Sequence, residues 1–178
     1  MSTPDASRVL FAGKFLQVIQ QGRWEYADRN SATGAAVIVA VTDHQEIVLI
    51  EQHRIPVGRS VIELPAGLVG DDAGSEGEAA ETAARRELLE ETGYAASQMK
   101  QVAHGPPSAG LASEIVTMFL ARGLTKEHEG GGDEHEQIRV HVVPIDRADA
   151  WLTAQEQERG VLVDPKVYAG LYFATRGG

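Results

Sequence analysis

Three glutamates lie close together in a segment whose pattern predicts a helix. In the segment 86–91 (RELLEE), Glu87 and Glu91 are four residues apart. On a helix that turns about 100° per residue they lie one above the other, with Glu90 beside them. Carboxylates on one patch repel each other unless a cation lies among them. Such oxygen ligands suit hard divalent ions, and Mg²⁺ in particular combines a few carboxylates with water and phosphate.

A solvated acidic helix face is the alternative interpretation of the same residues. Arg85 and Arg86 would then be the charge partners of the glutamates. Glu-rich helices are common, so the glutamates alone would favour this alternative. The choice between the two interpretations therefore depends on the residues around the patch.

The helix that carries the glutamates is predicted from about Glu78 to Thr92, and Gly93 takes the favoured C′ position. The stretch 67–77, rich in Gly and Asp, is predicted as a loop, and the segment Phe11 to Tyr26 as a short hairpin with Gly22 near its turn. Apolar runs predict strands at 35–41, 47–51, 61–64, 115–121 and 138–143. Two closing helices are predicted over 147–156 and 165–174.

This order of elements places strands on both sides of a central helix. It predicts a mixed α/β domain with α/β/α layers and a mixed sheet, preceded by a short N-terminal β-hairpin. No repeat and no long linker divides the chain.

The composition restricts the partners. The 178 residues carry a formal net charge of −10 and no cysteine. The charge argues against a nucleic-acid surface, and the lack of cysteine excludes disulfides and thiolate chemistry. An acidic chain that handles phosphates needs arginines or a metal ion to offset repulsion. Without a membrane-spanning run or a signal-peptide pattern, we expect a cytoplasmic protein with no membrane partner.

The helix segment resembles the signature of a known family. Glu78, seven intervening residues and then the segment 86–94 (RELLEETGY) match the Nudix box, G-x5-E-x7-R-E-U-x-E-E-x-G-U, in which U is a bulky aliphatic or similar residue. Two positions depart from the pattern. The first glycine of the box would fall on Asp72, so Gly67 is the better candidate and the loop carries about five extra residues. Tyr94 is bulky but not aliphatic.

The resemblance implies a metal-dependent pyrophosphohydrolase and gives roles to the matching residues. Glu87 and Glu91 would be the principal ligands of Mg²⁺, with Mn²⁺ as a possible substitute. Glu90 would assist them, and the carbonyl of Ala66 would complete the site. Arg86 would orient the glutamates rather than contact the substrate.

Further stretches resemble ADP-ribose pyrophosphatases and related nucleotide-sugar hydrolases. Arg54 ends a predicted strand, and the matching arginine of that branch binds substrate phosphate, for which a guanidinium fork is well suited. The alternative is an arginine that extends from a strand edge into solvent. The stretch 108–114 (SAGLASE) is similar to S-P-G-x-x-S-E, although Ala109 replaces the proline typical of ADP-ribose hydrolases. Glu114 would lie near the metals or the second sugar, or would instead cap the next strand.

The stretch 130–140 begins with three glycines that precede an acidic cluster. Glycines confer mobility, so this stretch is expected to form a loop that closes over substrate. In the resembled enzymes a glutamate of this loop activates the attacking water. Glu134 is the matching residue and Glu136 is the alternative; a solvated acidic loop is the competing interpretation.

Trp24-Glu25 resembles an N-terminal strand whose tryptophan stacks on the nucleotide base, sometimes across a dimer interface. Ordinary core packing is the alternative for Trp24. The resemblance implies a homodimer, with residues 1–34 as the dimerisation and base-binding element and residues 35–178 as the hydrolase domain.

Together these features predict hydrolysis of the pyrophosphate bond of a nucleoside diphosphate sugar, with ADP-ribose as the first choice. The products would be a nucleoside monophosphate and a sugar phosphate. GDP-mannose-like sugars and then dinucleoside polyphosphates are the alternative substrates. A sensor of the same fold, which binds nucleotide sugars without cleaving them, is the rival from another class. The intact set of Arg86, Glu87, Glu90 and Glu91 weighs against it.

Overall fold

The computed structural model describes residues 6–30, 32, 34–70, 77–132 and 137–176. Its strands are β1 (Ser7–Ala12), β2 (Leu16–Gln21), β3 (Trp24–Arg29), β4 (Gly34–Val41), β5 (Glu46–Arg54), β6 (Arg59–Glu63), β7 (Ala66–Val69), β8 (Tyr94–Gly105), β9 (Val116–Lys126), β10 (Arg139–Pro144) and β11 (Leu162–Val163). Its helices are α1 (Ala80–Thr92), α2 (Ala148–Arg159) and α3 (Pro165–Arg176). Within the described ranges, no helix is both long enough and apolar enough to span a bilayer.

The main sheet has the strand order β11-β6-β5-β4-β9-β8, with β10 paired to β5 and β7 paired to β4. It is a mixed sheet, because β4 runs parallel to β9 and β6 parallel to β11, whereas the other pairs are antiparallel. The central strand β4 is almost fully buried from Ala36 to Val41. Its continuous apolar run is typical of a strand that is covered on both faces.

Helices cover the two faces of this sheet. Small and aliphatic residues of α1, including Ala84 and Leu88, pack against Ile38 and its neighbours on one face. On the other face, Leu152 of α2 and Val167 of α3 pack in the cluster that contains Val37, Val39 and Val41. Alternate side chains of β4 therefore pack in two hydrophobic clusters on opposite faces of the sheet, as strand geometry requires. The predicted α/β/α layering is confirmed.

Helix α1 starts two residues later than the sequence predicts, so Glu78 precedes the helix rather than lying in it. The helix ends where predicted. Gly93 has φ +72°, and its N–H donates a hydrogen bond to the carbonyl of Leu89 at 2.8 Å. A left-handed residue at this position is the usual way in which a helix ends at glycine.

The N-terminal element is a three-stranded antiparallel sheet, β1-β2-β3, and not a single hairpin. The predicted hairpin corresponds to β2 and β3, with Gly22 at its turn. The additional strand β1 is exposed along its whole length, so its sequence carries no alternation between buried and exposed positions. It pairs with β2 through a turn in which the N–H of Gly13 donates to the carbonyl of Leu16 at 2.8 Å.

Other strands also depart from the predictions. The strand β8 is missed by the sequence analysis, because it is an edge strand and most of its residues are polar or only partly buried. The strand β7 lies in the region predicted as loop, and β9 continues to Lys126, beyond its predicted end. Both β7 and the end of β9 contact α1, the helix that carries the glutamates.

An ion-pair cluster around the buried carboxylate of Glu51 links strand β5 to α2 and β10. The carboxylate of Glu51 is bound by Arg159 of α2 at 2.5 Å and by His141 of β10 at 2.9 Å. Burial alone would raise the pKa of Glu51, but these two hydrogen bonds and the accompanying charges hold the pKa below its ordinary value. The cluster therefore holds α2 and β10 on the strand that ends in Arg54.

Candidate active site

Two glutamates of α1, Glu87 and Glu91, contact strand β7. Glu91 is only 2% exposed, and its Oε2 accepts a hydrogen bond from the backbone N–H of Ala66 at 2.9 Å. Glu87, one turn earlier, places its carboxylate against Gly67. A Cβ atom added to Gly67 would lie 1.9 Å from both Cδ and Oε1 of Glu87. The two carboxylates therefore reach neighbouring residues of the same strand, and Glu87, Ala66 and Gly67 line a cleft.

Arg86 lies at the centre of an acidic cluster. Its guanidinium is 2.8 Å from Glu87, 3.3 Å from Glu90 and 3.5 Å from Glu78. Burial acts to lower the pKa of Arg86, but the negative charges of Glu87, Glu78 and Glu90 outweigh it and raise that pKa above its ordinary value. Arg86 thus stays charged and bridges the glutamates, which is the arrangement expected of a residue that orients them.

The carboxylates of Glu87 and Glu91 fit a magnesium ion by their chemistry. Among the residues that the structure describes, no group of three or more His, Cys, Asp or Glu side chains is placed to hold a metal ion by itself. Mg²⁺ at phosphate sites is commonly bound by one or two carboxylates, with waters and substrate phosphate as the other ligands. Glu87 and Glu91 supply such a pair beside the backbone of Ala66. The side chain of Glu90 is 53% exposed and pairs with Arg86.

A cleft of about 410 Å³ opens beside these carboxylates. It is bounded by the ends of several strands and by the start of α3. The polar and charged residues that line it are Arg29, Arg54, Glu63, Glu87, Glu114 and Lys166. The structure thus brings Arg54, Glu114, Glu87 and Ala66 together at one cleft, as the sequence predicted for a single site.

Each cationic side chain of the cleft is held by a carboxylate. Arg54 binds Glu63 through Nε at 2.7 Å, and Arg29 binds Glu114 through Nε at 2.5 Å. Each of these contacts uses one of the five N–H donors of a guanidinium. The side chains of Arg54 and Arg29 are 43% and 35% exposed, so they keep access to the cleft. They are therefore oriented groups that can meet phosphate oxygens.

Lys166 and Arg29 are missed by the sequence analysis. Lys166 lies in the first turn of α3, where a positive charge is unfavourable, and its ammonium is bound by Asp164 at 2.5 Å. In the sequence, only this unfavourable position of a lysine in a first helical turn could have indicated a role for Lys166. Arg29 and Glu114 are 85 positions apart, so their pairing is visible only in the fold.

The N-terminal sheet reaches the cleft through strand β3. The N–H of Ala27 donates to the carbonyl of Leu111 at 2.8 Å, and the N–H of Ser113 donates to the carbonyl of Ala27 at 3.0 Å. These bonds hold the end of β3 against the stretch 108–114. Arg29 and Glu114 consequently form one wall of the cleft.

Trp24 lies apart from this cleft. It lines a separate cavity of about 340 Å³ with Tyr26, Ala109, Gly110, Ala112 and Ser113, and none of the residues that line this cavity lines the cleft. Core packing is excluded for Trp24, because the residue is 55% exposed. Ala109, at the position of the expected proline, also lines the cavity of Trp24 and not the cleft.

The glycines at 130–132 lie against the C-terminal end of α1. The N–H of Gly131 donates to the carbonyl of Glu91 at 2.8 Å, and the N–H of Gly132 donates to the carbonyl of Glu90 at 3.2 Å. These glycines are therefore docked on the end of α1. Glu134 and Glu136, the candidates for the base, lie outside the described residues.

Comparisons with known proteins give the family of the chain. The family model of the NUDIX domain matches residues 32–164. A methanol dehydrogenase activator from Bacillus methanolicus is 37% identical over 65% of this chain, a match that spans 60% of the activator's own length. An ADP-ribose pyrophosphatase from Bacillus subtilis (strain 168) is 33% identical over 80% of this chain and 78% of its own. A GDP-mannose pyrophosphatase from Enterobacter sp. (strain 638) is 33% identical over 81% of this chain and 75% of its own.

A solved structure described as that of an ADP compounds hydrolase superposes with a TM-score of 0.70, at 21% identity, and covers 98% of this chain and 92% of its own. This likeness confirms the fold. The chain belongs to the Nudix family, and its relatives support the prediction that it is a Nudix pyrophosphohydrolase.

The contact between Glu87 and Gly67 gives a direct prediction. Replacing Gly67 with alanine would push the carboxylate of Glu87 away from β7, because the new methyl group needs its place. We expect pyrophosphatase activity to fall about 100-fold, as for a displacement of about 1 Å at a catalytic group. Thermal unfolding should change little, since only the end of a side chain has to move.

Gly105→Ala is the matched control, because a Cβ atom at Gly105 meets no atom within 4 Å. It should retain activity in the same assay. Wild-type activity in Gly67→Ala would show that the close approach of Glu87 to β7 is not required.

Proposed function

We propose that this Nudix protein hydrolyses the pyrophosphate bond of a nucleoside diphosphate sugar in a Mg²⁺-dependent reaction, with ADP-ribose as the first substrate to test. The observation that carries the proposal is the placement of Glu87 in a cleft whose walls hold Arg29, Arg54 and Lys166, with Glu91 buried behind it against Ala66, which also lines the cleft. A diphosphate needs both kinds of group, since cations neutralise its outer oxygens and a metal ion binds the oxygens at the bond that breaks.

The proposed metal site lies between α1 and β7. Glu87 and Glu91 would hold Mg²⁺ beside the backbone of Ala66, with Glu90 assisting and Arg86 orienting the set. Bound there, Mg²⁺ would lower the pKa of a water molecule and neutralise charge on the leaving phosphate.

The remaining roles belong to the walls of the cleft and to the segment after the glycines. Arg54, fixed by Glu63, would bind a phosphate oxygen, and Glu114 would steady Arg29 for the same purpose. Glu134, or else Glu136, would accept the proton of the attacking water, a role that rests on the resemblance alone.

The identity of the sugar nucleotide rests on two arguments. The ADP-ribose pyrophosphatase from Bacillus subtilis and the GDP-mannose pyrophosphatase from Enterobacter sp. are each 33% identical to this chain, so identity to these two does not separate the substrates. The stretch 108–114 and Trp24 resemble the ADP-ribose branch, whereas Ala109 departs from it. ADP-ribose is therefore placed first and GDP-mannose second.

The test is a substrate panel with the full chain. ADP-ribose, GDP-mannose, NADH and diadenosine polyphosphates would be incubated with Mg²⁺, and the nucleoside monophosphate released would be measured by chromatography. We expect AMP from ADP-ribose at the highest kcat/KM and no turnover when EDTA removes the metal.

Glu91→Gln should lower the rate by at least about 100-fold, because it removes the most buried carboxylate of the site.

The panel separates the alternatives. Faster release of GMP from GDP-mannose would move the assignment to the second substrate. Binding of these compounds without cleavage would contradict an enzyme and favour a sensor. Turnover that persists in EDTA would contradict the dependence on metal.

We further propose that the active form is a homodimer built through the N-terminal sheet. That sheet exposes a large apolar surface, which includes Phe11 at 64% and Phe15 at 68% exposure. Exposed apolar patches of this kind mark interaction surfaces. Trp24 is separated from the cleft of its own chain, so a role in binding the base would require the cleft of a second copy.

Sedimentation velocity tests the dimer. The wild type should sediment at twice the chain mass of 19.1 kDa. The double variant Phe11→Glu with Phe15→Glu should sediment as a monomer, because two charges cannot be buried in an apolar contact without partners. Tyr172→Glu is the control, as it replaces an exposed aromatic of α3 with one such charge, away from the N-terminal sheet. A wild-type monomer, or dissociation in the control alone, would contradict this interface.

A further inference from the structure

The last turn of α1 is covered by the segment that follows β9. The carbonyls of a final helical turn have no partner within the helix and need donors from elsewhere. The N–H groups of Gly131 and Gly132 supply such donors to the carbonyls of Glu91 and Glu90, at 2.8 Å and 3.2 Å. The backbone of the two adjacent glutamates is therefore bound by the segment Gly130–Gly132, which we name the glycine clamp.

The contact leaves no room for larger residues at its centre. Gly130 has φ +76°, and a Cβ atom there would lie 2.6 Å from the carbonyl oxygen of Glu91. Gly93, on the opposite side of the contact, has φ +72°, and a Cβ atom there would lie 1.8 Å from the carbonyl oxygen of His128. Both sides of the contact are therefore specific for glycine, for steric as well as conformational reasons.

Lys126, the last residue of β9, also binds the C-terminal end of α1. Its ammonium donates to the carbonyl of Thr92 at 2.9 Å and to that of Glu129 at 3.4 Å, and it lies 4.6 Å from the centre of the ring of Tyr94. A cation at a helix C-terminus is favourable. Tyr94 is the residue that departs from the aliphatic position of the Nudix box, and here its ring provides the face over which Lys126 lies.

We propose that the glycine clamp is a positioning element that sets the affinity of the α1 glutamates for a divalent cation, with Gly131 as its central residue. The inference rests on the proposed metal site and goes beyond it. A helix end without partners frays, and carboxylates that must bind one ion need fixed positions. The clamp fixes the backbone of Glu90 and Glu91, whereas Arg86 and Ala66 contact their side chains.

Gly131 is the position at which this role can be tested without a steric clash. It has φ +119°, a conformation that disfavours a side chain, but no atom lies within 4 Å of an added Cβ. Alanine at this position therefore disturbs only the backbone that carries the hydrogen bond to Glu91. Gly160 provides a matched control, because it has φ +66°, also has open space around it, and ends α2.

The experiment measures binding of Mn²⁺ alone to the full chain, by electron paramagnetic resonance, together with thermal unfolding. We expect Gly131→Ala to raise the Kd for Mn²⁺ about tenfold, as for a lost supporting contact behind a metal ligand. Gly160→Ala should keep the wild-type Kd although it lowers the Tm, since it also places alanine at a positive φ that disfavours a side chain.

An unchanged Kd in Gly131→Ala would overturn the inference, and so would an equal rise in both variants, because that would show general loosening. A wild type that binds no Mn²⁺ would overturn both this inference and the proposed metal site. A wild type that binds Mn²⁺ with the predicted pattern of variants, but cleaves no sugar nucleotide, would support the clamp and contradict only the proposed function.

Discussion

The close approach of α1 to strand β7 is the contact on which the rest of the site depends. Ala84 and Leu88 are fully buried against the sheet and bring the helix near enough for its glutamates to reach β7. Gly67 has no side chain, so the carboxylate of Glu87 can occupy the space beside it. The same packing buries Glu91 against the N–H of Ala66. A hydrophobic contact thus places charged groups that would otherwise repel each other.

The charge balance of the site follows from this placement. An acidic chain concentrates several carboxylates here, and arginines pair with most of them. Arg86 neutralises part of the cluster on α1, and Arg54 and Arg29 are held by Glu63 and Glu114 across the cleft. Glu87 and Glu91 contact β7, where the proposed divalent ion and diphosphate would complete the balance.

The parts of the site that were predictable from sequence are those encoded by local pattern. Helix α1, its end at Gly93 and the grouping of Glu87 with Glu91 follow from periodicity and residue type, and the Nudix resemblance identified the family. Strand β8 and the first N-terminal strand were missed, because edge strands with exposed faces lack a clear alternation. The pairing of Arg29 with Glu114 could not be seen, since it joins residues 85 positions apart. Long-range contacts of this kind depend on the fold.

The most direct test of the account is the capture of a divalent cation by Glu87. Mn²⁺ binding would be titrated by calorimetry in the wild type, in Glu87→Gln and in Glu81→Gln, without substrate. Glu81 lies on the same helix, is exposed and pairs with Arg85 at 2.8 Å, so its variant makes the same chemical change outside the site. We predict that Glu87→Gln weakens binding at least about tenfold and that Glu81→Gln does not. Equal binding by Glu87→Gln and the wild type would contradict the account.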